Sequence, residues 1–215
     1  MSCANIKNLL YEYKIKKAGI TARLKSFKRP LPLTPKQAFE ELAFCIFTPG
    51  SKALNGARAV KKLKAKGLLF TGSRVRIAAN INGIVRFHNN KALYLTLARN
   101  VFVKKSGSGF KNIFNAANPR EARQWLVSNI KGIGYKEASH FLRNVGLGRD
   151  LAILDTHILK NLKRLNIIKE IPRSISKKTY LFLEGRMRRF SETVHIPLDE
   201  LDLLFWSRET GFIFK

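Results

Sequence analysis

The stretch "IKGIGYKEASHFLRNVGLGRDLAILDTHIL" (residues 130–159) decides how the rest of the chain is read. It predicts a helix ending near Ile130, a tight turn through "KGIG", and a second helix from about Tyr135 to Asn144. Gly132 and Gly134 let the backbone turn sharply and bring its N–H groups close to a ligand. The second helix adds free N–H groups and the positive end of its dipole, a setting that suits a phosphate, with Lys131 beside it. Lys136 follows in the first turn of that helix, and Asp155 stands nineteen positions later in front of "THILKNLKRL".

These two residues have opposite settings. At Lys136 the helix dipole, the surrounding positive charge and partial burial all disfavour an ammonium, so its pKa is expected below the usual value of about 10.4. A neutral lysine is a nucleophile that forms Schiff bases with sugar aldehydes. Asp155, as the expected N-cap, accepts backbone hydrogen bonds and stays ionised. Such a carboxylate can stabilise the positive charge that develops on a deoxyribose as its base departs. The plainer reading is a lysine that touches a phosphate and an aspartate that only caps a helix. His157 and His140 read as helix-start or packing residues.

Composition points the same way. Lysine and arginine number 41 against 14 acidic residues over 215 positions, a formal net charge of +27. That excess repels itself and fits a surface built for a polyanion, with salt-sensitive, sequence-independent affinity. No apolar run, "ELAFCIF" included, is long enough to span a bilayer. The N-terminus lacks a signal-peptide core, so an intracellular protein of the cytoplasm or nucleoid is expected. Cys3 and Cys45 are the two cysteines and cannot supply a four-cysteine zinc or iron–sulfur site. No metal or other cofactor is expected, and Cys45 reads as a small buried hydrophobe.

Periodicity favours helices nearly everywhere, so the fold class is all-α. "TPKQAFEELAFCIF" opens with Thr34 as cap, Pro35 at the first position and Gln37 closing a capping box. "TPGS" (48–51) breaks that helix, and the next ends at Gly67. Two more are expected over about 72–86 and 90–104, and "KKSGSGFKN" (104–112) reads as a basic glycine and serine loop, either solvated or touching the nucleic-acid backbone. Asn118, Pro119 and Glu121 start another. The last two helices run near 176–194 and 197–210, with Gly211 as terminator. "LAIL" (151–154) is the strand-like exception. On the last helix Leu201, Leu204 and Phe205 form the expected buried stripe, leaving Trp206 to one side.

"GIGYK…LDTH" resembles the signature of the helix-hairpin-helix DNA glycosylase superfamily that includes endonuclease III. That resemblance carries the catalytic pair onto Lys136 and Asp155, and the lysine is typical of members that excise a base and then nick the strand by β-elimination. "ELAFCIFTPGSKA", "VRFHNNKA", "NIKGIGYKEASHFLRNVG" and "LDLLFWSRETGFIFK" together resemble the compact, mostly archaeal second family of 8-oxoguanine DNA glycosylase/AP lyases. What it implies is a two-domain helical fold with the DNA cleft between domains: residues 36–143 as a barrel-like domain, and 1–35 with 144–215 as the other. The implied partner is double-stranded DNA containing 8-oxoguanine, met by a monomer that flips the base out, with no membrane involved. Backbone contacts fall to Lys131, Gly132 and Gly134. Base recognition falls to Trp206, stacking on the extruded purine, and to Lys215, whose terminal carboxylate would accept from the N7–H that 8-oxoguanine has and guanine lacks. Superfamily members often carry a glutamine where this chain has Gly50, which leaves a contact from that loop open. The alternatives are an endonuclease III-like glycosylase for oxidised pyrimidines, and a non-catalytic basic nucleic-acid-binding protein.

Overall fold

Helix-start signals in the sequence become helix starts in the computed structural model, which describes residues 3–27, 33–104, 108–116 and 118–214. In chain order the helices are α1 (Cys3–Phe27), α2 (Pro35–Phe47), α3 (Ala53–Ala65), α4 (Leu68–Thr71), α5 (Arg74–Ile81) and α6 (His88–Arg99). They continue with α7 (Ser108–Phe114), α8 (Pro119–Asn129), α9 (Tyr135–Asn144), α10 (Thr156–Arg164), α11 (Lys177–Thr193) and α12 (Leu198–Thr210). No strand occurs among the described residues. The chain divides into two compact units, one of Met1–Arg29 with Gly146–Lys215 and one of Pro30–Val145.

In the Pro30–Val145 unit, α2 is the buried centre and packs against α3, α6 and α9. The capping box is present: Thr34 Oγ1 accepts from the Gln37 N–H at 3.2 Å, and Gln37 Oε1 accepts from the Thr34 N–H at 2.9 Å. Phe39, Leu42, Ala43 and Ile46 are buried, and Cys45 among them is a small buried side chain whose thiol burial pushes well up. Phe102 joins the core through Phe39 and meets Phe141 of α9 edge-on at 6.0 Å. Asn118 Oδ1 caps α8 through the N–H groups of Arg120 and Glu121.

Several boundaries differ from those read in the sequence. The helix expected to reach Gly67 stops at Ala65, because Gly67 sits in the left-handed region (φ 66°) and starts the short α4. The helix expected over 72–86 is only Arg74–Ile81, capped by Ser73 and ended at Asn82 and Gly83. Its successor starts at His88, ends at Arg99 and runs on as a π-helical turn, Asn100–Lys104. The supposed loop 104–112 is largely α7: Phe110 stacks on Phe114 at 4.3 Å and meets Phe102 edge-on, so two aromatic side chains anchor it. Residues 105–107 of that stretch lie outside the described residues.

The other unit contains α1 and α10–α12. Leu151–Leu154 is buried but belongs to neither helix nor strand. Buried backbone groups must find partners, and here α11 supplies them. Glu184 Oε1 accepts from the Ala152 N–H at 2.9 Å, and the Tyr180 hydroxyl donates to the Ala152 carbonyl at 2.7 Å. Helix α1, which the sequence reading left unassigned, lies along α12. Tyr13 donates to Glu200 at 2.6 Å, Lys16 to Ser207 at 3.1 Å, and Arg208 pairs with Glu12 at 3.1 Å. Among the described residues, no helix is long and apolar enough to cross a membrane.

Candidate active site

The hairpin is built around two glycines and an isoleucine. Ile133 is buried and anchors the turn, while Lys131 and Gly132 are exposed. Gly132 has φ 86°, and the Tyr94 ring of α6 occupies the space a Cβ would need. Only glycine fits there, on backbone and steric grounds together. Helix α9 then begins at Tyr135, with Arg123 of α8 donating to Ser139 at 3.2 Å and lying over the Tyr135 ring.

Lys136 occupies the first turn of α9, as read from the sequence. Its Nζ is 2.9 Å from Glu137 Oε1, and its side chain is partly buried at 26% exposure. The other Glu137 oxygen accepts from the Gly134 N–H at 3.3 Å, so one carboxylate ties the hairpin to the lysine. Glu137 was not singled out in the sequence. The spacing from Gly134 to a glutamate at the third helical position is the signal that could have found it.

In the same unit Lys91 of α6 is buried, at 3% exposure. Its Nζ donates to the carbonyls of Phe47 and Pro49, each at 2.7 Å, and to Ser51 Oγ at 3.0 Å. Ser51 Oγ also accepts from the Arg86 N–H at 3.0 Å, so Lys91 fastens the turn that contains Gly50. Gly50 has φ 66°, and the Phe87 ring lies 3.3 Å from where its Cβ would be. A ring from the following segment therefore fills the space that a side chain at position 50 would enter.

Asp155 belongs to the other unit. It caps α10, Oδ1 accepting from the N–H groups of His157 and Ile158 at 2.9 Å each. Tyr180 and Glu184 hold the preceding segment and so set where the carboxylate stands. His157 packs edge-on against Trp206, ring centroids 6.2 Å apart. His140 is buried and packs edge-on against Phe44. Both fit the packing roles read from the sequence.

Trp206 departs from expectation. Rather than standing to one side of α12, it is buried, at 7% exposure. Phe212 meets it edge-on at 5.3 Å and Phe214 is tilted at 6.5 Å. The reason is that Gly211, at φ 83°, turns the chain back so that the two tail rings fall onto the indole. Arg23 of α1 holds this tail, donating from Nε to the Phe214 carbonyl at 2.6 Å. Lys215, the second expected recognition residue, lies outside the described residues. Among the described residues no group of three or more His, Cys, Asp or Glu is placed to hold a metal ion.

Three comparisons bear on this arrangement. The family model for 8-oxoguanine DNA glycosylase with its helix-hairpin-helix matches residues 20–196. An 8-oxoguanine DNA glycosylase/AP lyase of Fusobacterium nucleatum is 47% identical over 94% of each chain. One of Methanocaldococcus jannaschii is 41% identical over 91% of each, so relatives occur in bacteria and archaea alike. The crystal structure of the M. jannaschii glycosylase/lyase in complex with a 15mer DNA containing 8-oxoguanine matches with a TM-score of 0.89 at 37% identity, covering 99% of this chain and 100% of that one.

Proposed function

The chain belongs to the 8-oxoguanine DNA glycosylase family, and on that premise we propose that Lys136 is its nucleophile and Asp155 the carboxylate that assists it. The protein is an 8-oxoguanine DNA glycosylase and AP lyase. The observation that supports the residue assignment is Lys136 itself: a partly buried side chain in the first turn of α9, directly behind the glycine hairpin.

With the damaged nucleotide flipped out, the neutral Lys136 amine attacks C1′ as the bond to the base breaks. Asp155, held in place by two backbone N–H groups, stabilises the positive charge on the sugar while that bond lengthens. The ring-opened sugar then carries a protonated imine to Lys136, which acidifies the C2′ hydrogen. Loss of that proton expels the 3′-phosphate, and hydrolysis of the imine releases the lysine. Lys131, Gly132 and Gly134, at the hairpin, hold the DNA backbone nearby.

Base selection belongs to Trp206 and Lys215 in this reading. The support is the Arg23 contact to the Phe214 carbonyl and the aromatic packing on Trp206, which fix the chain immediately before Lys215. Stacking of a purine on Trp206 requires Phe212 or Phe214 to give way. The same reading has the enzyme act as a monomer on nucleoid DNA, consistent with a net charge of +27.

The test is a duplex with a single 8-oxoguanine. Lys136→Gln should bind it within a few-fold of wild type and release neither base nor nicked strand. Normal strand cleavage by that variant would overturn the assignment. Lys215→Ala should lower 8-oxoguanine excision and spare nicking at a preformed abasic site.

A further inference from the structure

Lys91 has more structure around it than a surface cation needs. Its ammonium is buried and all three of its hydrogens are directed at oxygens, two backbone carbonyls and the Ser51 hydroxyl. No carboxylate is among those acceptors, so this buried charge is solvated by dipoles without a paired anion. A buried unpaired charge is costly, and a neutral side chain of similar length would fill the same space at lower cost.

The position of α6 suggests what the charge does. Tyr94, one helical turn after Lys91, has its ring against Gly132 of the hairpin. Residues three apart share a helix face, so Lys91 lies on the side of α6 turned to the hairpin that leads into Lys136. Helix α2 packs against both α6 and α9. The charged and titratable groups meeting there are Arg86 and Lys91 from the α6 side, Glu41 and Cys45 from α2, and Lys136, Glu137 and Arg143 from α9. Burial pulls Lys91 down to about 8, with the positive charges of Lys136 and Arg86 pushing the same way and Glu137 opposing. Coulomb interactions are mutual: if Lys136 disfavours a charge on Lys91, Lys91 disfavours one on Lys136.

We propose that Lys91 is a positioning residue for Lys136: its buried ammonium is a positive charge held in place by its hydrogen bonds, which counters Glu137 and favours the neutral amine the reaction needs. The proposal rests on Lys136 being the nucleophile. At an abasic site, the Lys136 nitrogen forms a bond to the C1′ aldehyde carbon, the carbonyl oxygen leaves as water with the two amine hydrogens, and no oxidant or reductant takes part. An ammonium has no lone pair for the first of these steps. Glu137, 2.9 Å from the same nitrogen, stabilises the ammonium. Lys91 acts in the opposite sense, and its hydrogen bonds to Phe47, Pro49 and Ser51 keep it from swinging out to solvent.

The experiment measures single-turnover borohydride trapping of the full-length protein on a preformed abasic-site duplex across pH. Lys91→Met should move the midpoint of the ascending limb to higher pH by about half a unit or more, so that trapping falls about three-fold or more at neutral pH and recovers in alkali. Lys91→Arg, which keeps a charge, should retain the wild-type midpoint. If Lys91→Met does not fold, Lys91→Gln keeps a donor for the loop carbonyls and carries the same expectation. A folded neutral variant with an unchanged midpoint, or with a loss equal at every pH, overturns the proposal and leaves Lys91 as a loop fastener. Trapping of Lys136→Gln in the same assay would instead overturn the nucleophile assignment on which it rests.

Discussion

Replacing Asp155 in two ways separates its structural contribution from its chemical one. The carboxylate caps α10 through two backbone N–H groups, both bonded to Oδ1. Asp155→Asn keeps an oxygen in that place, and asparagine is as good a cap as aspartate. Its cost is the lost interaction of the negative charge with the helix dipole, about 0.3–1 kcal/mol. Asp155→Ala removes the acceptor and costs about 0.5–2 kcal/mol. For a chain of this size each kcal/mol is worth about 2–4 °C in Tm, so alanine should melt a few degrees below asparagine. In rate the two should be alike. Each removes the charge that stabilises the cationic sugar, a loss of about 100-fold or more in excision of 8-oxoguanine. The assays are a thermal melt and single-turnover base release from a duplex with one lesion, at enzyme concentrations that saturate binding. An Asp155→Asn protein that releases the base at the wild-type rate refutes the role. A loss that follows Tm across the two variants would make Asp155 a cap and nothing more.

Arg23→Ala frees the Phe214 carbonyl, and it should reduce 8-oxoguanine excision several-fold while leaving nicking at a preformed abasic site near wild type; equal loss in both assays would count against a role in base recognition. Gly132→Ala forces a Cβ into the Tyr94 ring at a left-handed φ, so it should cost more than about 1 kcal/mol of stability and weaken DNA binding, measured by urea unfolding and a filter-binding titration. Burial lowers Lys91 to about 8 from its ordinary value of 10.5, so between those values the unfolded chain holds a proton that the folded one has released. Its contribution to stability is therefore lowest below pH 8 and grows as pH rises. The stability of wild type relative to Lys91→Gln should improve from pH 7 to pH 10 in urea titrations; a fall would contradict the burial argument.

Features of the fold written in adjacent residues were legible in the sequence. Thr34, Pro35 and Gln37 give both the start of α2 and its capping box, and Gly211 ends α12 in the left-handed conformation expected of it. The turn through Gly132 and Gly134, Lys136 in the first turn of α9, and Asp155 as cap of α10 were legible for the same reason: each is a local signal. What depends on distant contacts was not. Helix α1 has no clean apolar stripe, with Leu9 and Ile20 buried but Tyr11 and Ile15 exposed, and polar side chains reaching α12 fix it. Tyr180 and Glu184 take over the backbone partners of Leu151–Leu154, so an apolar run that reads as a strand is satisfied without one. Trp206 is buried because of a tail that folds back after Gly211, which helical periodicity within α12 does not encode. Lys91 is one of 41 lysines and arginines, and nothing in its neighbourhood along the chain says that its partners are at Phe47, Pro49 and Ser51.

The central claim is that Lys136 is the residue that joins covalently to the sugar. Its most direct test is to reduce the reaction of wild-type protein and 8-oxoguanine duplex with borohydride, digest the trapped adduct, and locate the modified residue by mass spectrometry. The account predicts a single deoxyribose-modified lysine, Lys136, in the peptide that follows "GIGY". Attachment at Lys91, Lys131 or the N-terminal amine, with Lys136 unmodified, would contradict it.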